Sequence, residues 1–425
     1  MNSNKLVIWL IGCGVGAIVA LLAINLKPDE RHLDRPIPQN VTSANPNFPP
    51  AMEGVIGSSI ETGHAIQTLV NGDEIFPAML DAIERAERSV NFETYIYWSG
   101  DVANRFADAL SRKASGGVRV HVLIDGVGGA KMERSLIERM KSAGVDVQIF
   151  RPVHWYTLDR VNNRTHRKVL VVDGRIGFTG GVGIADEWNG NARSPSEWRD
   201  NHYRVEGPVV AGLQSSFVEN WLEVTNELLI GEDYFPPLKA AGKLAAQTVK
   251  SSPFSGSENV HLMLLMAIAA ATDHIRIEMA YFVPSEVAIQ QLIEARKRGV
   301  EVEVLVPGDH VDNAGARSAS RYLWGELLEA GVRIYEFEPT MLHVKFVTVD
   351  DVWATVGSAN FDERSFGLND EANLTVFDQG FTQTHIDIFE ADKRRAREVT
   401  FEDWQNRPLQ QKAIDLIWSA LGSQM

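Results

Sequence analysis

The sequence predicts an α/β protein in which one strand–helix unit occurs twice, each copy forming a sheet covered by helices. Two observations predict this fold. The order strand–helix–strand–helix–strand occurs in both halves of the chain, with β-branched strands and longer helical patterns alternating. Corresponding positions in the two halves also carry the same residue types. With pseudo-twofold packing, the equivalent strands of the two copies meet at one shared cleft.

The first element is an apolar stretch, Leu6–Leu26, with Lys5 before it and Lys27 after it. One helix needs about 20 apolar residues to cross a bilayer, so the stretch is long enough. A cleaved signal peptide is the alternative, but no convincing cleavage site follows. We therefore predict one N-terminal transmembrane helix within residues 1–27. The basic residues around it leave open the side of the membrane on which the body lies.

Residues 28–60 are polar and rich in proline, which predicts a linker. We expect its main part, from Pro28 to about Glu53, to be an extended and mobile tether that lets the body lie against the membrane. Two lobes follow, at residues 61–245 and 246–425.

The two lobes match segment by segment. The predicted strand Ser89–Tyr97 corresponds to His274–Phe282, and both have a glutamate at the fifth position. For Glu93 and Glu278, support of a nearby site and maintenance of the fold are equally good interpretations. The later elements are helical stretches Val102–Lys113 and Glu286–Arg298, strands starting at Val118 and Val300, helices ending before Gly144 and Gly331, and strands Val145–Phe150 and Val332–Phe337.

Both lobes also contain the pattern His-x-Lys-x-x-x-x-Asp. Its residues are His166, Lys168 and Asp173 in the first lobe, and His343, Lys345 and Asp350 in the second. Alternate side chains of a strand share a face, so each histidine lies beside its lysine. An imidazole next to an ammonium group suits a phosphate. All six residues form the candidate catalytic set, although the aspartate falls on the other face or in the following turn, where a scaffold role is favoured.

Two histidines that face one phosphate can divide a phosphodiester exchange. One neutral imidazole attacks phosphorus, and the other, protonated, gives its proton to the leaving alcohol. Lys168 and Lys345 would neutralise the non-bridging oxygens as the transition state forms. Because cations and donors are already supplied, we expect no metal and no other cofactor.

Residues after each motif supply further phosphate donors. Ser358 and Asn360 have a hydroxyl and an amide, and glycines occupy the equivalent places after Gly180, at Gly181 and Gly183. Backbone amides could replace the missing side chains, since glycine lets the chain approach an anion. We therefore predict phosphate contacts at Ser358, Asn360, Gly180 and Gly181, in an asymmetric site.

A nucleophilic histidine needs an acceptor on its second nitrogen, which fixes the tautomer and supports positive charge. Asp200 follows the first motif and Glu371 follows the second. These two carboxylates are the candidate supporting residues.

The paired motifs resemble those of the phospholipase D superfamily, and the sequence around them is similar to that of bacterial cardiolipin synthases. The similarity runs from about Asn71 to the C-terminus, and its segments are Arg164–Lys168, Trp198–Asp200, Ala280–Pro284, Gly357–Phe366, Asn369 and Glu371.

The resemblance implies two phospholipase D-type α-β-α sandwich lobes and a phosphohistidine intermediate. It also implies transfer of a phosphatidyl group from one phosphatidylglycerol to another, with release of glycerol, at a bacterial cell membrane. The family's use of its N-terminal motif makes His166 the expected nucleophile and His343 the general acid and base.

Three other functions are alternatives to this one. A phospholipase D or phosphodiesterase would pass the intermediate to water, and the sequence does not separate it from a transferase. A nuclease is disfavoured by the net charge of −15 and by the predicted anchor. A non-catalytic membrane scaffold is disfavoured by two intact motifs. The oligomeric state, the acceptor alcohol and the lipid preference stay open.

Overall fold

Both halves of the chain contribute to one mixed sheet in the computed structural model, which describes residues 16, 33, 35–153, 162–252 and 257–420. The strands of the first half are β1 (Glu61–Val70), β2 (Ser89–Thr94), β3 (Arg119–Asp125), β4 (Asp146–Phe150), β5 (Val169–Val172), β6 (Ile176–Gly180) and β7 (Asn201–Glu206). Those of the second half are β8 (Leu244–Ser251), β9 (His274–Met279), β10 (Phe282–Val283), β11 (Glu301–Pro307), β12 (Arg333–Phe337), β13 (Lys345–Val349), β14 (Trp353–Gly357), β15 (Phe361–Asp362), β16 (Glu371–Phe377) and β17 (Ala396–Val399).

The strand order confirms the duplication. From the centre outward it is β1-β7-β6-β5-β2-β3-β4 in the first half and β8-β16-β14-β13-β9-β11-β12-β17 in the second. Strands β1 and β8 pair antiparallel, with Glu61 opposite Ala246. The expectation of two separate sheets is therefore corrected: the halves form one continuous sheet. Strand β8 begins at Leu244, so the predicted division after residue 245 falls inside a strand.

Helices cover both faces of this sheet. They are α1 (Phe48–Ile56), α2 (Asn71–Glu84), α3 (Asp101–Ser115), α4 (Arg134–Ser142), α5 (Val210–Thr225), α6 (Asn259–Ala270), α7 (Glu286–Lys297), α8 (Ala314–Glu329), α9 (Glu363–Gly367), α10 (Gln379–Lys393), α11 (Phe401–Gln405) and α12 (Leu409–Ser419). Each half has a large buried apolar cluster, the first half has a smaller one around Trp221, and a further cluster contains residues of both halves, such as Val171 and Val356. The halves therefore share a core.

The linker predicted for residues 28–60 is only partly extended. Phe48, Met52 and Ile56 are spaced one helical turn apart, form the buried stripe of α1 and pack in the core of the second half. The prolines after Phe48 stand in the first turn, where a helix tolerates them, although the sequence interpretation took them as signs of an extended chain. The backbone N–H of Ile37 donates to a glutamine of α7 at 2.7 Å. From Ile37 onward, the tether prediction is wrong.

The predicted transmembrane helix of residues 1–27 lies outside the described residues, apart from residue 16. Among the helices that the structure does describe, none combines the length and the apolar character that a membrane span requires.

Candidate active site

Backbone hydrogen bonds between the halves bring the two motifs to one place. The N–H of His166 donates to the carbonyl of Asp370 at 2.9 Å, and the N–H of His343 donates to the carbonyl of Arg199 at 2.7 Å. Each histidine thus lies just before its strand, β5 or β13, while its backbone is held by a segment of the other half. These hydrogen bonds between the halves account for the shared cleft that the sequence predicts.

The supporting carboxylates are crossed in the same way. His166 Nδ1 lies 2.9 Å from Glu371 Oε1, and His343 Nδ1 lies 2.8 Å from Asp200 Oδ2, with all four side chains buried. Since an ionised carboxylate only accepts, Nδ1 carries the proton in each ring. The lone pair of a neutral ring is then on Nε2, and in His343 this atom also lies 3.3 Å from Lys345 Nζ. The predicted supporting residues Asp200 and Glu371 thus each lie against the histidine that the other half supplies.

Burial sets the protonation of the two histidines. Removal from water lowers the pKa of His166 to about 4, and the Lys168 ammonium acts in the same direction against the opposing Glu371 carboxylate. Burial also lowers the pKa of His343, with Lys345 adding to the effect and Asp200 opposing it. At neutral pH His166 is therefore a neutral base, as a nucleophile must be.

The two lysines lie against their own histidines. Each Nζ donates to the histidine carbonyl at 2.8 Å, from Lys168 to His166 and from Lys345 to His343. Burial lowers the pKa of Lys168 to about 7 and that of Lys345 to about 8. The Lys345 charge further lowers the pKa of Lys168, so the two ammonium groups act on the same small volume. Such a pair suits an anion that is shared between the halves.

The two supporting carboxylates are themselves held differently. Ser358 donates its hydroxyl proton to Glu371 Oε2 at 2.5 Å. Trp188 donates its indole N–H to Asp200 Oδ2 at 2.8 Å. At Gly181, the position equivalent to Ser358, a Cβ atom would lie 2.2 Å from Asp200 Oδ1. The glycine therefore makes room for Asp200, and the tryptophan provides the missing donor.

These contacts argue against two of the four predicted phosphate contacts. The single hydroxyl proton of Ser358 goes to Glu371, and Gly181 packs on Asp200, so neither has the role that we predicted. Gly180 has φ +154° and faces Asn201, whose carbonyl oxygen would lie 2.7 Å from a Cβ atom. Asn360 differs, because its buried Oδ1 has no partner among the described residues. It remains a candidate for substrate contact.

The motif aspartates leave the candidate catalytic set. Asp173 accepts the backbone N–H groups of residues 87–89 at 2.7–3.2 Å, and Asp350 accepts those of residues 272–274 at 2.8–3.2 Å. Both stand in turns at φ +54° and +49°. Each aspartate comes seven positions after its histidine, roughly 20 Å away along extended chain. These contacts agree with the scaffold role that the strand geometry favours.

Aromatic side chains around the histidines were missed. The Tyr95 ring lies 5.2 Å from the His166 ring, and Trp188 and Trp198 lie 5.1 and 5.7 Å from that of His343, between centroids. Trp198 stands two residues before Asp200, which was a usable signal. Trp188 and Tyr95 follow no motif spacing.

The buried glutamates of β2 and β9 lie in different surroundings. Glu93 accepts from Thr165 and Asn220, both at 2.6 Å, and burial raises its pKa to about 7. Thr165 directly precedes His166, so its hydrogen bond to Glu93 holds the chain in place at the start of the first motif. Burial raises the pKa of Glu278 well above its usual range, and the neighbouring Asp392 carboxylate adds to this effect.

Sequence comparison identifies the family. A family model described as "Cardiolipin synthase, PLD-like domain" matches residues 79–192 and 264–393, which include both motifs. The chain belongs to this cardiolipin synthase family of phospholipase D-like proteins. Family members include cardiolipin synthase 1 of Bacillus cereus, 34% identical over 356 residues, which are 82% of this chain and 70% of the relative. Cardiolipin synthase A of Pseudomonas putida is 38% identical over 344 residues, with 80% and 70% covered.

Solved structures show that the fold extends beyond the family. The phosphatidylserine synthase of Haemophilus influenzae superposes with a TM-score of 0.68 at 14% identity, over 88% of this chain and 97% of that protein. The polyphosphate kinase of Porphyromonas gingivalis gives a TM-score of 0.55 at 13% identity, over 93% and 57%. At these identities the likeness concerns the phospholipase D-like α/β fold alone.

Proposed function

We propose that this enzyme transfers a phosphatidyl group from one phosphatidylglycerol to a glycerol hydroxyl of a second one, producing cardiolipin and releasing glycerol. The observation that carries the proposal is the crossed pair of histidine–carboxylate contacts beside two lysines. The names of the relatives support the choice of substrate.

The first half-reaction forms a covalent intermediate. His166 Nε2 attacks phosphorus, the bond from phosphorus to the leaving glycerol oxygen breaks, and protonated His343 gives that oxygen its proton. Glu371 supports the positive charge on the phosphorylated ring through Nδ1–H. The phosphate raises the pKa of His343 when it binds, because an anion stabilises the imidazolium. The two lysine ammonium groups face the non-bridging oxygens.

The second half-reaction reverses these roles. Neutral His343 takes the proton of the incoming glycerol hydroxyl, whose oxygen attacks phosphorus. The phosphorus–nitrogen bond breaks, and His166 returns to its neutral state. Asp200 now supports the imidazolium of His343 through Nδ1–H. The net products are cardiolipin and glycerol.

The location is part of the proposal. We infer that residues 1–27 anchor the enzyme in a bacterial cell membrane by a single helix, and that residues 61–245 and 246–425 act as the two lobes of one catalytic body. The apolar stretch Leu6–Leu26 supports the anchor.

Product analysis tests the function. Purified protein is incubated with phosphatidylglycerol vesicles, and cardiolipin, glycerol and phosphatidate are followed, with His166→Ala and His343→Ala as controls. Cardiolipin and glycerol in equal amounts, lost in both variants, are the expected result. Phosphatidate without cardiolipin would indicate the hydrolase instead.

Acid-quenched enzyme identifies the nucleophile. With a substrate labelled at phosphorus, label on the peptide that contains His166 is expected. Label on the His343 peptide would reverse the two roles.

A further inference from the structure

Helix α12 carries its apolar side chains on the outside. Leu409, Leu416 and Ile417 are 83%, 52% and 63% exposed, and Ile414 and Trp418 are 43% and 37% exposed. A helix on the surface of a globular protein ordinarily buries these residue types and exposes its charges. We call these five residues the α12 surface.

The one acidic side chain of the same helix points inward. Asp415 is fully buried, accepts a hydrogen bond from Arg321 at 2.8 Å and is paired with Arg407 at 3.0 Å. Turning the helix to bury the α12 surface would break both ion pairs and leave a guanidinium group without its carboxylate, which is costly. The outward orientation of the apolar side chains is therefore fixed by the structure.

The α12 surface lies toward the edge of the sheet that carries the active site. Helix α12 packs on α8; Trp404, just before it, lies at Gly325, whereas Asp415 reaches Arg321. The chain therefore runs toward the first turn of α8, which follows β11. The C-terminal ends of β9 and β11 are also where β13 begins, directly after His343.

The N-terminal segment leads to the same side of the molecule. Ile37 is hydrogen-bonded to Gln291 of α7, and α7 packs on α8, the helix that carries α12. The apolar stretch that we assign to the membrane ends at Leu26. The residues between Leu26 and Ile37 span at most roughly 35 Å, so a bilayer that holds this stretch is within reach of α8 and α12.

We propose that the α12 surface lies in the headgroup region of the lipid bilayer and holds the second motif against the membrane. Leucine and isoleucine side chains enter the acyl boundary, while the tryptophan takes the interfacial position that its amphipathic ring favours. This proposal needs a bilayer but no particular reaction. It therefore stands or falls separately from the proposed transfer of phosphatidyl groups.

A fluorescent label at Ile417 tests the contact in the full chain. The single cysteine is first removed by Cys13→Ser, and Ile417→Cys is labelled with a dye whose emission shifts to the blue in apolar surroundings. Leu409→Cys provides a second position, and both side chains are exposed, so labelling leaves the core intact. The matched control is Ser115→Cys, exposed at the end of α3, on the opposite edge of the sheet from the motifs.

The labelled proteins are reconstituted into phosphatidylcholine–phosphatidylglycerol vesicles with and without brominated acyl chains. A blue shift with quenching by the brominated lipid is expected at positions 409 and 417, and neither effect at position 115. Emission typical of water at 409 and 417 would overturn the proposal. So would a blue shift without quenching, because it would show that protein, either a second copy or the N-terminal segment, covers the α12 surface.

Discussion

The two half-sites support their histidines with the same kind of contact but with different side chains. In one, Glu371 of the second half contacts His166 of the first and accepts a hydrogen bond from Ser358. In the other, the shorter Asp200 takes the N–H of Trp188, in space that Gly181 leaves open. The two halves therefore share the position of a carboxylate oxygen beside the histidine, whereas the residues that supply and hold this oxygen differ.

The crossing adds a second lesson. Because each carboxylate belongs to the half that does not carry its histidine, the active site is a property of the joined sheet. Neither half contains a complete histidine–carboxylate pair. Equivalent substitutions in the two halves therefore test the comparison directly.

The largest effect is expected from the crossed acceptors. Glu371→Gln and Asp200→Asn should each lower kcat on the order of 10⁴-fold, because an amide disfavours the Nδ1–H tautomer and no longer supports an imidazolium. Steady-state kinetics on phosphatidylglycerol vesicles measures this. Glu294→Gln, an exposed residue of α7 paired with Lys297, is the control and should change little. If a variant kept a tenth of the activity, the carboxylate that it lacks would not have the supporting role proposed for it.

The substitution Gly181→Ser gives the first half the serine that the second half has at the equivalent position, Ser358. The added Cβ would meet Asp200 Oδ1 at 2.2 Å, so the carboxylate must move away from His343. A displacement of about 1 Å in an active site can lower the rate about 10²-fold, and a loss of that size in kcat is expected. Gly54→Ala, with open space around its Cβ, is the control. Normal activity of Gly181→Ser would mean that Asp200 tolerates relocation.

Trp188→Phe and Ser358→Ala each remove one donor from a supporting carboxylate. A hydrogen bond to a charged group contributes about 1.5–3 kcal/mol, so each change should lower kcat by about 10- to 100-fold. The two losses should agree within a few-fold if the donors are equivalent, with KM almost unchanged. If only one variant lost activity, the two supporting carboxylates would depend on their hydrogen-bond donors to different extents.

The lysines differ in the pH at which they lose their charge. A lowered pKa means that the ammonium form disappears earlier as the pH rises, through about 7 for Lys168 and about 8 for Lys345. The value of kcat/KM reports the free enzyme, so it should fall about tenfold per pH unit between about 7 and 8, where one ammonium group is lost, and about a hundredfold per unit above about 8, where both are lost. Lys168→Arg should leave a single alkaline step near the Lys345 value. A fall that begins only near pH 10 would contradict the shared site.

The smallest effect on activity is expected at the motif aspartates. Asp173→Ala leaves three backbone N–H groups without their acceptor and should lower the free energy of unfolding by about 2–4 kcal/mol. The kcat of the folded variant should stay within about twofold of the original. Urea unfolding and assays at low temperature separate the two quantities. A hundredfold loss of kcat in folded protein would return Asp173 to the catalytic set.

The sequence predicted the duplicated fold and the histidine–lysine pairs, because strand alternation and equivalent spacing report these directly. Asp200 and Glu371 were candidates only because each is a carboxylate downstream of a motif, at unequal distances from it. The sequence could not show the crossing, since distance along the chain does not say which half an acceptor faces. Trp188 follows no motif spacing, and a serine that donates to Glu371 looks the same in a sequence as one that donates to phosphate. The prolines near Phe48 suggested extended chain, whereas their place in the first turn of α1 was visible only in three dimensions.

The crossing also bears on how the enzyme is made. Synthesis proceeds from the N-terminus, and domains tend to fold in that order. His166 is synthesised long before Glu371. Without that carboxylate the His166 ring has neither a fixed tautomer nor support for a phosphorylated state. A nascent chain would thus stay catalytically inactive until most of its length is translated, so an unfinished copy would not cleave substrate.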